Sequence, residues 1–321
     1  MPRAAPHRQR RRVADPGIPR AIVGPTASGK TEAGAVVSAR LDGEVVACDS
    51  MTIYRGMDVG TAKPTEEERS LVPHHLIDVA GPTEPFSVAR YQELVRQAIA
   101  GIRERGHLPI LVGGTGLYFR AVVDALEIPG TDPALRGAIE LEGRAIGPAR
   151  LHARLAAFDP EAAVKIDPDN LRRTVRALEV AALTGRTFSS FAGAWERYPP
   201  ERVVAAGVRL APEALRTRIE VRVRAQYEGG LVQEVRGLLE RGFEPLLTAS
   251  QAIGYLEVVG YLEGRHSLDE AAEVTTRRTK ALARRQTAWF RRDPRIRWFD
   301  AGAEGAAGIA DDLAEHLAGG R

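Results

Sequence analysis

From residue 21 onward, short apolar runs alternate with amphipathic stretches. Residues 21–23 form an apolar run, followed by a glycine-rich turn and a helical pattern over 32–41. Residues 45–47 predict a second strand, ending in Cys48-Asp49-Ser50, and 75–79 a third. Across 88–106, apolar residues fall at 88, 91, 95, 98 and 102, with 94 and 99 beside them. That is the period of an amphipathic helix, and Gly106 closes it. Residues 108–112 read as a buried strand running into Gly113-Gly114-Thr115. Strands and helices alternating at this length predict an α/β fold with a parallel sheet covered on both faces. Ligands of such sheets sit at the carboxyl ends of the strands, here marked by Gly24, Asp49 and residues 113–115.

From 131 to 200 the strand signals stop. Short helical pieces punctuated by Asp132-Pro133, Gly147-Pro148, Asp159-Pro160 and Asp167-Pro168 predict a helical insertion domain. Residues 203–210 return as a strand, so the core is expected over 20–130 and 201–301. Two long helices, 213–241 and 268–292, and a last strand at 296–300 complete it. The alanine- and glycine-rich residues 302–321 read as a C-terminal tail.

Composition narrows the class. The 321 residues carry a formal charge of +3, but residues 1–20 hold six arginines and one acid, leaving the remainder slightly acidic. With prolines at 2, 6, 16 and 19, residues 1–19 read as a disordered basic tail. No apolar run approaches the roughly 18 residues of a membrane span. A single cysteine, Cys48, excludes a disulfide framework and a cysteine-based zinc site, and suits a reducing interior.

The strongest chemical signal is Gly24-Pro25-Thr26-Ala27-Ser28-Gly29-Lys30-Thr31, a G-x-x-x-x-G-K-S/T phosphate loop between a strand and a helix. Small residues let successive backbone N–H groups curl around phosphate oxygens, and the helix N-terminus adds positive potential. Lys30 supplies a full charge, and Thr31 is placed to hold Mg²⁺. The core is therefore expected to be P-loop NTPase-like. The loop alone implies a phosphate chain without choosing among nucleotide binding, a kinase or a hydrolase. The strand 108–112 ends without the acid that usually orders Mg²⁺ for hydrolysis. Asp49 at a strand end reads as a general base, a metal ligand, or a helix or turn cap, with capping the foremost reading on position alone.

Arg277, Arg284 and Arg291 fall seven apart, as do Arg278, Arg285 and Arg292. Seven residues are nearly two helical turns, which predicts one stripe. Residues 277–297 hold nine basic residues and one acid, Asp293, a bias that suits nucleic-acid phosphates. A weaker basic cluster, Arg172, Arg173 and Arg176, falls inside the insertion.

With these landmarks the sequence resembles the bacterial-type tRNA dimethylallyltransferases, also called tRNA isopentenyltransferases. The resemblance rests on residues 24–31, 49–64, 111–118, 176–180, 251–255 and 284–291, in the family's order over about 20–300. The run from Asp49 through Tyr54, Asp58 and Lys63 to Pro64 is far more specific than the phosphate loop. The resemblance implies transfer of a dimethylallyl group from dimethylallyl diphosphate to the exocyclic amine of the adenosine 3′ of the tRNA anticodon. It implies Mg²⁺ as cofactor and a cytoplasmic monomer. Thr26 would touch the diphosphate, Asp49 take the amine proton, and Arg222 reach over the diphosphate, with Lys30 as its charge partner. Contacts to tRNA would come from Asp49, Ser50, Met51, Thr52, Thr115, Arg136, Arg172, Arg173, Arg176, Ile253, Gly254, Tyr255, Arg284, Arg285, Gln286, Trp289 and Arg291. The insertion would grip the anticodon arm. Leu256 stands where the family places a basic residue, and the Cys/His zinc extension of eukaryotic relatives is missing. The alternatives are a small-metabolite kinase, a non-catalytic RNA-binding switch, and a transferase acting on free adenine nucleotides.

Overall fold

The computed structural model describes residues 17–243, 249–302 and 305–319, so the predicted tail at 1–16 lies outside the described residues. Cα packing divides the chain into two units, residues 1–123 with 200–321, and residues 124–199.

The first unit is built on a parallel six-stranded sheet in the order β3-β2-β4-β1-β5-β6. Its strands are β1 (Arg20–Val23), β2 (Gly43–Cys48), β3 (His74–His75), β4 (Leu108–Gly113), β5 (Val204–Arg209) and β6 (Ile296–Asp300). The pleat sends Leu111 of β4 to one core, with Val46, Tyr91 and Phe119, and Ile110 and Val112 to the other, with Ile22, Val37 and Val208. Against these faces pack α1 (Lys30–Arg40), α3 (Val88–Glu104) and α4 (Gly116–Val123), while α2 (Glu66–Leu71) lies on α1.

The second unit is helical. It comprises α5 (Pro133–Ile146), α6 (Pro148–Phe158), α7 (Pro160–Lys165) and α8 (Leu171–Thr184), around Ile139, Leu151, Leu155, Val175 and Leu178. Proline occupies the first turn of α5, α6 and α7, where its missing N–H costs nothing. Asp132 and Asp159 cap α5 and α7, accepting from Ala134 N and Ala162 N.

The first unit then continues through α9 (Pro212–Glu228), α10 (Leu231–Glu240), α11 (Tyr255–Leu262), α12 (Leu268–Phe290) and α13 (Ala310–Gly319). Four sequence expectations need correction. The single helix expected over 213–241 is two, because Gly230 takes a φ of 106°, which breaks the ladder between α9 and α10. The third strand stops at His75, since Leu76 and Asp78 adopt φ values of 64° and 60° and cannot continue a ladder. The expected C-terminal tail contains α13, whose Leu313 and Leu317 are buried in the core. Its signal was missed because a short Ala-rich helix depends on tertiary packing more than on pattern. Residues 17–19, assigned to the tail, are also held: the Gly17 carbonyl accepts from Arg103 at 2.9 Å and the Pro19 carbonyl from Val204 N at 3.1 Å. Among the described residues no helix is long and apolar enough to cross a membrane.

Candidate active site

The order β2-β4-β1 puts three carboxyl ends side by side. Gly113 is level with both Val23 and Cys48. A side chain at 113 would meet the Cys48 carbonyl at 1.9 Å, so glycine is required for the strands to close up here. The phosphate loop leaves β1, Asp49 follows β2 and Thr115 follows β4. Thr115 ties two of these ends together, its Oγ1 accepting from Ser50 N at 3.1 Å.

In the loop, Gly29 takes a φ of 88° as it enters α1, and Ala27 a φ of 64°. Ser28 Oγ is buried without a hydrogen-bond partner, a polar atom left inside the loop in the way an anion cradle leaves one. Lys30 is buried beneath, with Nζ donating to the Pro25 carbonyl at 3.2 Å. Burial pushes its pKa down to about 8, the Asp49 carboxylate opposing that shift and the Arg222 guanidinium adding to it. The ammonium thus remains charged at neutral pH, a buried cation placed where a phosphate group would neutralise it. Burial pushes the Cys48 thiol up to about 12, so it stays protonated beside the site.

A cavity of about 330 Å³ opens over the cradle, and Thr26, Asp49, Ser50, Met51, Arg222, Ile253, Arg285 and Gln286 all line it. Sequence reading named each of these eight. Asp49 Oδ1 accepts from Met51 N at 2.9 Å, so one carboxylate oxygen caps the turn while the residue also faces the cavity. The capping and catalytic readings of Asp49 are therefore compatible. Arg222 Nη1 lies 3.4 Å from Thr26 Oγ1, and burial, with Glu68 opposing, lowers its pKa. Gln286 reaches from α12 to accept from Thr26 N at 2.8 Å and donate to the Gly114 carbonyl at 2.9 Å.

Other named residues sit elsewhere. Tyr255 is fully buried and its hydroxyl donates to Glu234 at 2.6 Å, so it supports the site from behind. Gly254 caps α11, its N–H donating to Glu257 at 2.9 Å. Thr52 is buried, and Trp289 lies over Gly116, whose added Cβ would meet the indole at 2.1 Å. Arg291 is exposed at the end of α12.

The arginine stripe is divided. Adjacent residues on a helix lie about 100° apart. Arg278 and Arg285 accordingly face the cavity, whereas Arg277 and Arg284 line a separate groove between α9 and α12 that also holds Glu220, Glu228, Asp269 and Glu273. The stripe is not free of acids either, since Arg278 pairs with buried Glu257. The expectation of one arginine stripe is corrected accordingly.

Within the second unit, Glu179 is completely buried and draws in two of the arginines assigned to tRNA. Arg136 Nη2 and Arg176 Nη1 each reach its Oε2 at 2.7 Å. Burial alone would raise this carboxyl, but the arginine bonds hold it below its ordinary range. Arg172 and Arg173 remain exposed on α8.

Sequence reading missed Gln226, Glu234 and the wall formed by Gly60, Thr61 and Ala62. Gln226 is four residues from Arg222 and so shares its helix face, a signal the sequence contained. Glu234 carried none, because three of its four partners are backbone groups 174–176 residues away.

A parallel sheet with a phosphate loop at its carboxyl edge, and a carboxylate and arginines converging above it, define a P-loop α/β protein acting on a phosphate-bearing substrate. The family described as IPP transferase matches residues 52–293. A tRNA dimethylallyltransferase of Streptomyces coelicolor is 52% identical over 290 residues, covering 89% of this chain and 92% of that relative. The solved tRNA isopentenylpyrophosphate transferase of Bacillus halodurans is 41% identical with a TM-score of 0.67, covering 94% of this chain and 96% of that one. A eukaryotic dimethylallyltransferase acting on tRNA has a TM-score of 0.72 at 26% identity, covering 89% of this chain and 74% of that one. The chain belongs to the tRNA dimethylallyltransferase family of IPP transferases. The kinase, RNA-switch and free-nucleotide alternatives find no support in these matches.

Proposed function

We propose that this protein transfers the dimethylallyl group of dimethylallyl diphosphate to the exocyclic amine of the adenosine 3′ of the anticodon in tRNA. The observation that carries this reading is the shared cavity, in which Asp49, Thr26 and Arg222 meet directly over a phosphate loop. Transfer breaks the allylic C–O bond, whose electron pair leaves with the diphosphate, and forms a C–N bond from the amine lone pair. The amine proton then passes to Asp49 as general base. Negative charge grows on the diphosphate as the bond breaks. Loop N–H groups, Lys30 and Arg222 are fixed in advance to stabilise it. Among the described residues no cluster of three or more His, Cys, Asp or Glu side chains is placed to hold a metal. Thr31, in the first turn of α1, would hold Mg²⁺, which would supply neutralising charge to the diphosphate when bound.

The adenine has to leave its stack to reach such a cavity, as for other enzymes that act on bases. Arg285, and the exposed Arg172, Arg173, Arg284 and Arg291, suit phosphate contact with the anticodon arm. A cytoplasmic monomer suits the reading. Incubation with labelled dimethylallyl diphosphate and tRNA tests it: label is expected in the adenosine beside the anticodon, with diphosphate released and no ATP consumed. ATP hydrolysis in step with transfer, or label on free adenine nucleotides instead of tRNA, would overturn it.

A further inference from the structure

Glu234, on α10, has all its hydrogen-bonding capacity directed at one loop and one helix. Its Oε2 accepts from Asp58 N at 2.7 Å and Val59 N at 2.8 Å. Its Oε1 accepts from Gly60 N at 3.2 Å and from the Tyr255 hydroxyl at 2.6 Å. From the other side, Gln226 Nε2 donates to the carbonyls of Val59 and Gly60 at 3.0 and 2.9 Å. Both faces of the Val59–Gly60 backbone are thereby held by side chains from two different helices. Three successive N–H groups converging on a carboxylate form an anion nest whose anion belongs to the protein itself.

The clamp ends where the cavity begins. Gly60, Thr61 and Ala62 line it together with Thr26, Asp49 and Arg222. Ala62 adopts a φ of 50°, unfavourable for a residue with a side chain and retained only where the surroundings dictate it. Its N–H bonds back to the Val59 carbonyl at 3.2 Å, so the clamped residue also sets the strained one. Gly60 has no room for a Cβ, which would meet the Tyr255 ring at 2.4 Å. Tyr255 is itself held by Glu234. Burial and the neighbouring Glu234 carboxylate raise the Tyr255 pKa, which keeps its hydroxyl a donor to that carboxylate.

We infer that Glu234 is a positioning residue for the transfer reaction: with Gln226 it fixes the cavity wall at Gly60–Thr61–Ala62, and so the pose of substrate over Asp49 and the phosphate loop. The inference rests on the function proposed above. Transfer demands that the amine and the allylic carbon approach to about 3–3.5 Å in line, and misplacement by about 1 Å costs on the order of 10²-fold in rate. A wall whose backbone is held by five hydrogen bonds, with a sixth fixing Glu234 to Tyr255, meets that demand, whereas an unclamped loop does not.

The test compares Glu234→Gln and Gln226→Leu with wild type in single-turnover transfer from dimethylallyl diphosphate to tRNA. Both substrate affinities and hydrogen exchange at residues 57–62 are measured in parallel. Glu234→Gln keeps the shape but turns an NH₂ donor toward backbone donors. Expected are faster exchange at 58–60 and a chemical step slower by about 10²-fold, with both affinities unchanged. Faster exchange with a wild-type chemical step would reduce Glu234 to a fold anchor and overturn the inference, as would a loss confined to binding. Should Glu234→Gln not fold, Gln226→Leu decides by the same readouts. Wild-type protein that binds both substrates yet transfers nothing would instead overturn the functional reading, and the positioning role with it, while the exchange data still report the clamp.

Discussion

The backbone N–H of Thr26, inside the phosphate loop, donates to the side-chain oxygen of Gln286 at 2.8 Å, across 260 residues of sequence. The nitrogen of that side chain donates onward to the Gly114 carbonyl, so one residue of α12 spans two strand ends. It joins the helix that carries Arg284 and Arg285 to the phosphate loop. Replacing Gln286 with Leu leaves a donor and an acceptor unpaired, a penalty of about 1–3 kcal/mol. Affinity for dimethylallyl diphosphate is expected to fall at least about fivefold, measured by calorimetry on folded protein. Unchanged affinity would make the bond incidental to the cradle.

Asp49→Asn separates the two roles of that residue. Asparagine keeps an oxygen to accept from Met51 N, so the turn and the thermal midpoint should hold. It lacks the basicity to take the amine proton, so single-turnover transfer should drop by about 10²–10⁴-fold. Near-normal transfer by the asparagine variant would leave Asp49 as a turn cap alone.

Lys30 predicts a pH dependence. Its pKa is lowered in the fold to about 8 from 10.5, so between those values the unfolded chain binds more protons than the folded one. Stability of the ligand-free protein is therefore expected to rise as pH increases from about 8 toward 10.5, because the cost of burying the charge disappears. Diphosphate binding restores the charge, so it should take up protons near pH 8–9 and weaken as pH rises through that range. Calorimetry in buffers of different ionisation enthalpy reads the uptake. Its persistence in Lys30→Met would assign it to another group.

Arg285 and Arg284 are adjacent in sequence but face different surroundings, the cavity and the α9–α12 groove. Arg285→Ala is expected to lower both tRNA affinity and turnover, whereas Arg284→Ala should lower affinity alone. Removing one phosphate-binding arginine flattens the salt slope by roughly 0.7–0.9. Filter binding across a salt series, paired with saturating-tRNA turnover, distinguishes them. Equal effects of the two variants on turnover would contradict the division of the stripe.

How much of this was legible beforehand depended on the range of the interaction. The phosphate loop, Asp49 and the strands β1, β2, β4, β5 and β6 could be read locally, because apolar runs, glycine spacing and strand-end position are properties of a few consecutive residues. The P-loop parallel sheet followed from their alternation. The break at Gly229–Gly230 was visible as two glycines, but its φ of 106° at Gly230 was not. A seven-residue repeat put Arg277 with Arg284 and Arg278 with Arg285, yet could not say that the two pairs, one residue apart, look onto different surfaces. Tyr255 lay in a run read as tRNA contact, and only packing turned its ring under Gly60 and its hydroxyl to Glu234. Arg136 and Arg176 were likewise expected as tRNA contacts, and only the fold placed a buried carboxylate, Glu179, between them. Glu234 and Gln286 bond to backbone groups more than 150 residues away, which have the same donors and acceptors whatever their side chains. Which residues carry charge, protons and phosphate-binding amides could be read from their identities, since that chemistry is local. Tertiary structure alone decided which of them meet, and at what distance, because long-range hydrogen bonds to the main chain leave no mark in the identity of the residues they hold.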